Sequence, residues 1–413
     1  MKEVNIFYFL SIIIFFSCIK NEKKEQQQPI ADTIERAGLT LKGDSMNIVK
    51  DIILDPYAKG YPYDKLIDSI SFVKLETTDN NLIGCINHLF FTNDKIVVVD
   101  MEVSKTITVY DRKGKFLYTI SHRGAGPNEY RTLDYATLTL DQSNIVVVDM
   151  GANRLKYFSL DNATAKLTGS FLSKSVELPY IFTNVEYITD QIVAGYYSGG
   201  NIVPGKTDKQ LFLITDLNKN IKYSGYKSFY NKNFTFTTRF PLRRFGSQLF
   251  FNPSFSDTIF NVTDKGLKTH YILNIKGNKK ININETTENR TFSNELNQNN
   301  YFNSYFIELK DVAVFHYMSN TGRLNWGLYL KSENKTYDCS SEYKDPLVGF
   351  FNIPWFYYES NTLVMPIAAN RLISHKDHII KHSNKQLAKN LLDNLTEDDN
   401  PVLLFYHMKT KIK

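Results

Sequence analysis

The sequence is poor in cysteine, tryptophan and histidine and has no long apolar run, and each shortage removes a class of protein. Three cysteines in 413 residues cannot staple a disulfide scaffold. No CxxC is present. The eight histidines are scattered, and HExxH, GxSxG and the EF-hand loop are all missing. Ile6–Phe16 is apolar apart from Ser11, but it is shorter than the roughly 20 residues a bilayer-spanning helix needs. Long helical patterns are absent from the interior, which argues against βαβ folding. The net charge of +6 is dispersed rather than gathered. KNEKKE mixes signs, and the Lys/aromatic stretch from Ile221 to Phe234 reads as an alternating strand with one solvated face. Neither is a nucleic-acid footprint.

What is present begins at the N-terminus. The short apolar run fits the h-region of a secretory signal peptide, behind a thin positive region of Lys2 and the amino terminus. Directly after it comes FFSC, which resembles the lipobox of bacterial lipoproteins. That resemblance implies cleavage before Cys18 and a lipid on its thiol. The expected organisation is a signal peptide over 1–17, a charged, glutamine-rich tether over 18–44 and one folded unit over 45–413. Membrane contact would then be through acyl chains. Export permits a disulfide, but Cys85 and Cys339 lie far apart in sequence, and either a bond or two separate buried thiols fits them.

The folded part is rich in Phe (29) and Tyr (26), residues that favour strands. Its clearest feature is a duplication: NDKIVVVD ends at Asp100 and SNIVVVD ends at Asp149, 49 residues apart. Each is a short β run followed by strand, turn and strand, with DRKG at Asp111–Gly114 as a hairpin turn. Degenerate copies follow. Taking Ile96, Ile145, Ile192, Leu249, Val312 and Leu363 as markers, the steps are 49, 47, 57, 63 and 51 residues. A four-stranded unit at this period is a β-propeller blade, because one such sheet cannot bury both faces alone. Six pulses predict an all-β, six-bladed propeller of four-stranded antiparallel sheets. A seventh blade has room only in the wide steps near Leu249 and Val312, read here as insertions. SISFVKLETT (Ser69–Thr78) is expected to join the C-terminal NPVLLFYHMK and tie the ring shut. Just before it, Leu387, Leu391 and Leu395 predict one short amphipathic helix, a packing cap.

Taken together, FFSC, FVKLETTDNNLIGCI, KIVVVD, VYDRKGKFLYTISHRGAGPNEY, FNPSFSDTIFNV and DNPVLLFYHMK resemble the six-bladed β-propeller lipoproteins abundant in Bacteroidetes, whose architecture is NHL-like. The resemblance spans nearly the whole mature chain. It implies an exported, lipid-anchored protein of the cell envelope, at the outer membrane, that recognises a glycan or a peptide. It carries no catalytic activity over. Members commonly have Gly-x-Gly-Pro-Gly-Glu-Tyr at the glycine-rich corner, where this chain has Asn128 in place of the third glycine.

That corner, ISHRGAGPNEY from Ile120 to Tyr130, lacks the GK[ST] of a phosphate loop and opens a strand rather than a helix. Gly124, Gly126 and Pro127 are read as a structural turn between blades. His122, Arg123, Glu129 and Arg131 are candidate ligand contacts in the same segment, since blade connections approach one mouth of the ring and Arg grips anions. Trp326 and Trp355 are further candidates, set against plain packing between blades. Asp100 and Asp149 close turns in their own blades, with a paired-carboxylate or calcium site as the alternative; no cofactor is predicted, calcium being the one weighed. His378 and His382 fall one turn apart if helical, a weak metal motif. The leading functional expectation is a binding or scaffold module with no catalytic residue assigned. A propeller hydrolase or lyase acting on glycans and a subunit of an envelope assembly are the alternatives.

Overall fold

A computed structural model describes residues 50–121, 123–161, 170–227, 240–253, 256–279, 286–339 and 344–412. The expected signal peptide, Cys18 and the tether fall outside these, as does His122. The described strands form six antiparallel sheets, one per blade. Blade 1 holds β3 (His88–Phe91), β4 (Lys95–Asp100), β5 (Thr106–Asp111) and β6 (Phe116–Ile120). Blade 2 holds β7 (Tyr135–Leu138), β8 (Asn144–Asp149), β9 (Arg154–Ser159) and β10 (Leu172–Glu177). Blade 3 holds β11 (Asn184–Thr189), β12 (Ile192–Asn201), β13 (Gln210–Asp216) and β14 (Ile221–Lys227). Blade 4 holds β15 (Leu242–Phe245), β16 (Gln248–Phe251), β17 (Thr258–Thr263) and β18 (Gly266–Ile275). Blade 5 holds β19 (Tyr301–Glu308), β20 (Val312–Met318), β21 (Leu324–Leu330) and β22 (Lys335–Cys339). Blade 6 combines β23 (Phe356–Tyr358), β24 (Thr362–Ile367) and β25 (Val402–Met408) with β2 (Ile67–Lys74) from the other end of the chain.

The six markers all fall on the second strand of a blade, and the reason is burial. A second strand has a neighbour on each side within its sheet and a blade against each face, so both faces want apolar residues. Side chains alternate across a strand. Val97 and Val99 therefore pack toward blade 2, while Ile96 and Val98 pack toward blade 6. In blade 2, Ile145 and Val147 meet blade 1, and Val146 and Val148 meet blade 3. The repeated valines thus build three successive interblade cores.

Closure follows the expected scheme. β2 pairs antiparallel with β25, from Ile67 opposite Met408 to Lys74 opposite Val402. One addition was not anticipated. β1 (Lys50–Leu54) runs parallel to β18 and makes blade 4 five-stranded. Between β1 and β2 the chain crosses the outside of blade 5. There Asp338 Oδ1 accepts from the Asp55 amide at 3.2 Å and the Tyr317 hydroxyl at 2.7 Å, and the Tyr61 amide donates to the Asp338 carbonyl at 2.6 Å. Further along, the fully buried Asp345 carboxylate accepts from the Tyr63 hydroxyl and, at 2.6 Å, from that of Tyr406. The N-terminal segment is a strap over blades 4, 5 and 6.

Burial pushes the Asp338 carboxyl up to about 6, against the pull of its hydrogen bonds and of Lys276. A carboxyl raised in the fold stabilises most when protonated. Its contribution is complete below the ordinary value near 3.8 and is lost as pH rises through about 6. Urea melts should therefore show stability falling between pH 4 and pH 7 by on the order of 2–3 kcal/mol. Asp338→Asn should make that slope shallower, since buried Glu186 and Asp345 are raised too; an unchanged slope would place its origin elsewhere.

The single C-terminal helix of the sequence reading is three. α2 (Ala369–Ser374), α3 (Lys376–His382) and α4 (Lys385–Leu392) are inserted between β24 and β25, and α1 (Asn289–Asn297) precedes β19. Asn384 separates α3 from α4 by capping the latter, its Oδ1 accepting from the Gln386 and Leu387 amides at 2.7 and 3.2 Å. Leu391 is buried in the core beneath, while Leu395 lies beyond the end of α4. Cys85 and Cys339 form no disulfide; Cys339 is buried and Cys85 half-buried.

Candidate functional site

The corner between β6 and β7 is organised by three acceptors. The first is the Glu129 carboxylate, which folds back over the glycines and accepts from the Gly126 amide at 2.7 Å. A Cβ on Gly124 would come within 1.9 Å of Glu129 Oε2, and one on Gly126 within 2.9 Å. These glycines are required for close approach rather than for a left-handed backbone, as neither has a positive φ. Asn128 is likewise not among the positive-φ residues, which explains why the third glycine is dispensable here. Glu129 makes no ion pair with the exposed Arg123 or Arg131 among the described residues.

The second acceptor is Asp149, fully buried at the end of β8. Its Oδ2 takes the Arg131 amide at 2.9 Å, and its Oδ1 takes the amides of Thr132 and Ala152 and the Thr132 hydroxyl, each at 3.1 Å. One carboxylate thus fastens the incoming corner to the β8–β9 turn. Asp100 does the same for blade 1, taking the amides of Gly84 (3.0 Å) and Cys85 (2.9 Å) from the incoming loop and those of Glu102, Val103 and Ser104 from its own turn. Burial raises the Asp100 carboxyl, but these N–H groups outweigh it and hold it below its ordinary range. The two aspartates close separate turns and spend their oxygens on backbone donors. They are no calcium pair. The third acceptor is the Glu129 carbonyl, which receives the ammonium of Lys156; that ammonium also lies 3.8 Å from Asp149 Oδ2.

Between the corner and the β8–β9 turn lies an open cleft of about 550 Å³. Its floor and walls include Gly124–Pro127, Gly151–Asn153 and Ser175, with Arg131, Arg154 and Lys156 among them and, for the described residues, no carboxylate. Lys156 is buried and already engaged. Arg131 and Arg154 are exposed, each making one long contact, to the Gly151 carbonyl and the Ser175 hydroxyl at 3.4 Å. Glu177, opposite Arg154 in the ladder, pairs with Lys219 at 2.9 Å and also feels the Arg154 charge, and together these hold its carboxyl below the usual range. The cleft therefore offers two guanidinium groups to a ligand, which suits anions. Sequence reasoning named Arg131 and missed Arg154 and Lys156. They alternate in NRLKYFS, and such a pattern on its own reads as a solvated strand face.

A second constellation lies where the first strands meet at the ring axis. His88, Tyr135, Glu186, Arg243, Tyr305 and His316, drawn from blades 1 to 5, are all buried there. Glu186 accepts from Tyr135 at 3.0 Å and Thr137 at 2.9 Å and sits 3.8 Å from Arg244 Nε. Burial raises its carboxyl in spite of Arg244. Arg243 donates to the Phe306 carbonyl at 2.8 Å and lies 4.5 Å from the Tyr305 ring centre. Burial first, and Arg243 second, push His316 down to about 3, so it is neutral at physiological pH. This is a buried plug at the axis, with Trp355 packed edge-on to Tyr305 at 4.8 Å and to His316 at 5.3 Å. Trp326 is fully buried against Tyr63, ring centres 5.3 Å apart, and presents no surface to a ligand. His378 and His382 do share a helix, their rings stacked at 4.1 Å. Among the described residues no three His, Cys, Asp or Glu side chains gather as a metal site.

The fold has a solved counterpart. A protein from Bacteroides fragilis described as exported superimposes with a TM-score of 0.72 at 21% identity, covering 87% of this chain and 100% of its own. A member of the DUF4221 family from Bacteroides vulgatus matches with a TM-score of 0.49 at 12% identity, covering 83% and 97%. No curated protein matches the chain. The family model for DUF4934, a domain of unknown function, aligns with residues 56–407, almost the whole ring, and the chain belongs to that family.

Proposed function

We propose that the protein is an exported, lipid-anchored binding module of the cell envelope that takes an anionic ligand, an acidic glycan or acidic peptide, into the blade-2 cleft. The observation that carries this is the pair of exposed guanidinium groups, Arg131 and Arg154, on a cleft where the adjoining Glu129 carboxylate is engaged by the Gly126 amide. Cys18 and the tether supply the anchor, and the envelope supplies the address. A catalytic reading would need acids and histidines at an open mouth. The ones this chain gathers, at the axis, are buried away from solvent, which favours binding.

The test is a thermal-shift series on the chain from residue 18, with Cys18→Ser to keep it soluble. Acidic oligosaccharides and oligoglutamate should raise Tm in a concentration-dependent way, and neutral oligosaccharides alone should do so less. Arg154→Gln should weaken binding roughly tenfold, the order of one charge-assisted hydrogen bond. Equal shifts with charged and neutral ligands, unaffected by Arg154→Gln, would overturn the reading. A pull-down from the envelope would then look for a protein partner instead.

A further inference from the structure

The blade-2 cleft has a counterpart one blade earlier, built the same way but with different chemistry. In the ladders, Asp100 lies opposite Thr106 and Asp149 opposite Arg154. Thr106 and Arg154 are therefore equivalent, as are Thr108 and Lys156 two residues on. Across the next ladder Thr119 faces Thr108, just as Ser175 faces Lys156. The incoming loops correspond too, each fastened by its aspartate. Under the first of them lies a cleft of about 470 Å³. Where blade 2 has cations, this cleft has the hydroxyls of Ser104 and Thr106, which bond to each other at 2.7 Å, those of the buried Thr108 and of Thr119 and Ser121, and one exposed carboxylate, Asp79, with Phe116 and the exposed Leu82 as apolar surface. The Thr119 hydroxyl is buried in the cleft wall and has no hydrogen-bond partner among the described residues.

The two clefts are neighbours by covalent necessity. Ser121 lines the first and Gly124 the second. Consecutive Cα atoms are about 3.8 Å apart, so these two are separated by about 11 Å at most. That is within reach of a short oligomer lying across both.

We propose that the clefts form one bipartite site for an acidic oligosaccharide, its charged unit held by Arg131 and Arg154 and its neutral unit by the hydroxyl-lined cleft of blade 1. This rests on the blade-2 cleft being an anion site. Hydroxyls that both donate and accept match sugar hydroxyls, which do the same, and the Phe116 and Leu82 side chains suit the apolar face of a sugar ring. An acidic peptide has no comparable use for a row of threonines.

Isothermal titration on the chain from residue 18 tests this with two probes: a hyaluronan hexasaccharide, in which acidic and neutral units alternate, and oligoglutamate of similar charge. The hexasaccharide should bind at least about tenfold more tightly. Thr119→Val and Asn80→Ala should each weaken it by about three- to tenfold, one hydrogen bond's worth, and leave oligoglutamate unchanged. Asn80 also lines the blade-1 cleft and is exposed, so its substitution carries no folding risk. Arg154→Gln should weaken both probes. If Arg154→Gln weakens the hexasaccharide while Thr119→Val and Asn80→Ala do not, the bipartite site is refuted and the anion cleft stands. If Arg154→Gln changes nothing, or neither probe binds, the anion cleft fails and takes the bipartite site with it. Oligoglutamate binding as tightly as the saccharide would also overturn it, in favour of a peptide.

Discussion

Removing the chain up to and including Lys74 is expected to abolish cooperative folding. The deletion takes away β1, the strap and β2. Ile52, Leu54, Tyr63, Leu66 and Ile67 are all buried in the largest core cluster. At about 2 kcal/mol each they contribute on the order of 10 kcal/mol, which is comparable with the whole net stability of a typical domain. The deletion also strips the partner from β25 along its full length and leaves an open apolar edge. Urea melts should lose their sigmoidal transition, and size-exclusion chromatography should show aggregates. A truncated chain that melts with the parent's cooperativity and slope would mean the ring closes without its terminal strand.

Asp149→Ala is expected to be the most damaging single substitution around the corner, costing roughly 3–5 kcal/mol in urea titrations. It removes the acceptor for the amides of Arg131, Thr132 and Ala152. It also leaves the ammonium of Lys156, whose side chain is only 8% exposed, without its counter-charge. Asp100→Ala serves as the control. It loses five amide partners, yet no ion pair to a buried cation, so it should cost less, about 1–3 kcal/mol. Lys156→Met should restore part of the stability of Asp149→Ala, because the uncompensated charge is then gone. Equal losses at the two aspartates, with no rescue, would show that hydrogen bonding alone decides the matter.

The blade count was legible because second strands are buried on both faces, so IVVVD and its weaker copies stand out as apolar runs between turn residues. Closure was legible for a related reason: after six full pulses, Ser69–Thr78 and Asn400–Lys409 were the strands left over. β1 was not, since a parallel pairing between residues 50–54 and 271–275 leaves no local signal. The three C-terminal helices merged into one because leucine spacing shows only α4 clearly. At the site, Gly124, Gly126 and Pro127 announced a corner by composition, but the reason for the glycines, the Glu129 carboxylate lying over them, depends on a fold-back that spacing does not encode. Arg154 and Lys156 were hidden by strand periodicity, which gives a binding face and a solvated face the same alternation. The axial plug was hidden more deeply, since its six members come from five blades.

The strap has a mechanical consequence. Any pull on the chain before Lys50 enters the folded unit through β1 and is carried first by five residue pairs along β18. β2, the strand that locks the ring, is reached only after β1 and the crossing of blade 5 have yielded. β1 is thus a fuse in series with the lock. A chain held by its N-terminal end can give up one outer strand under load, and recover it, while its ring stays closed.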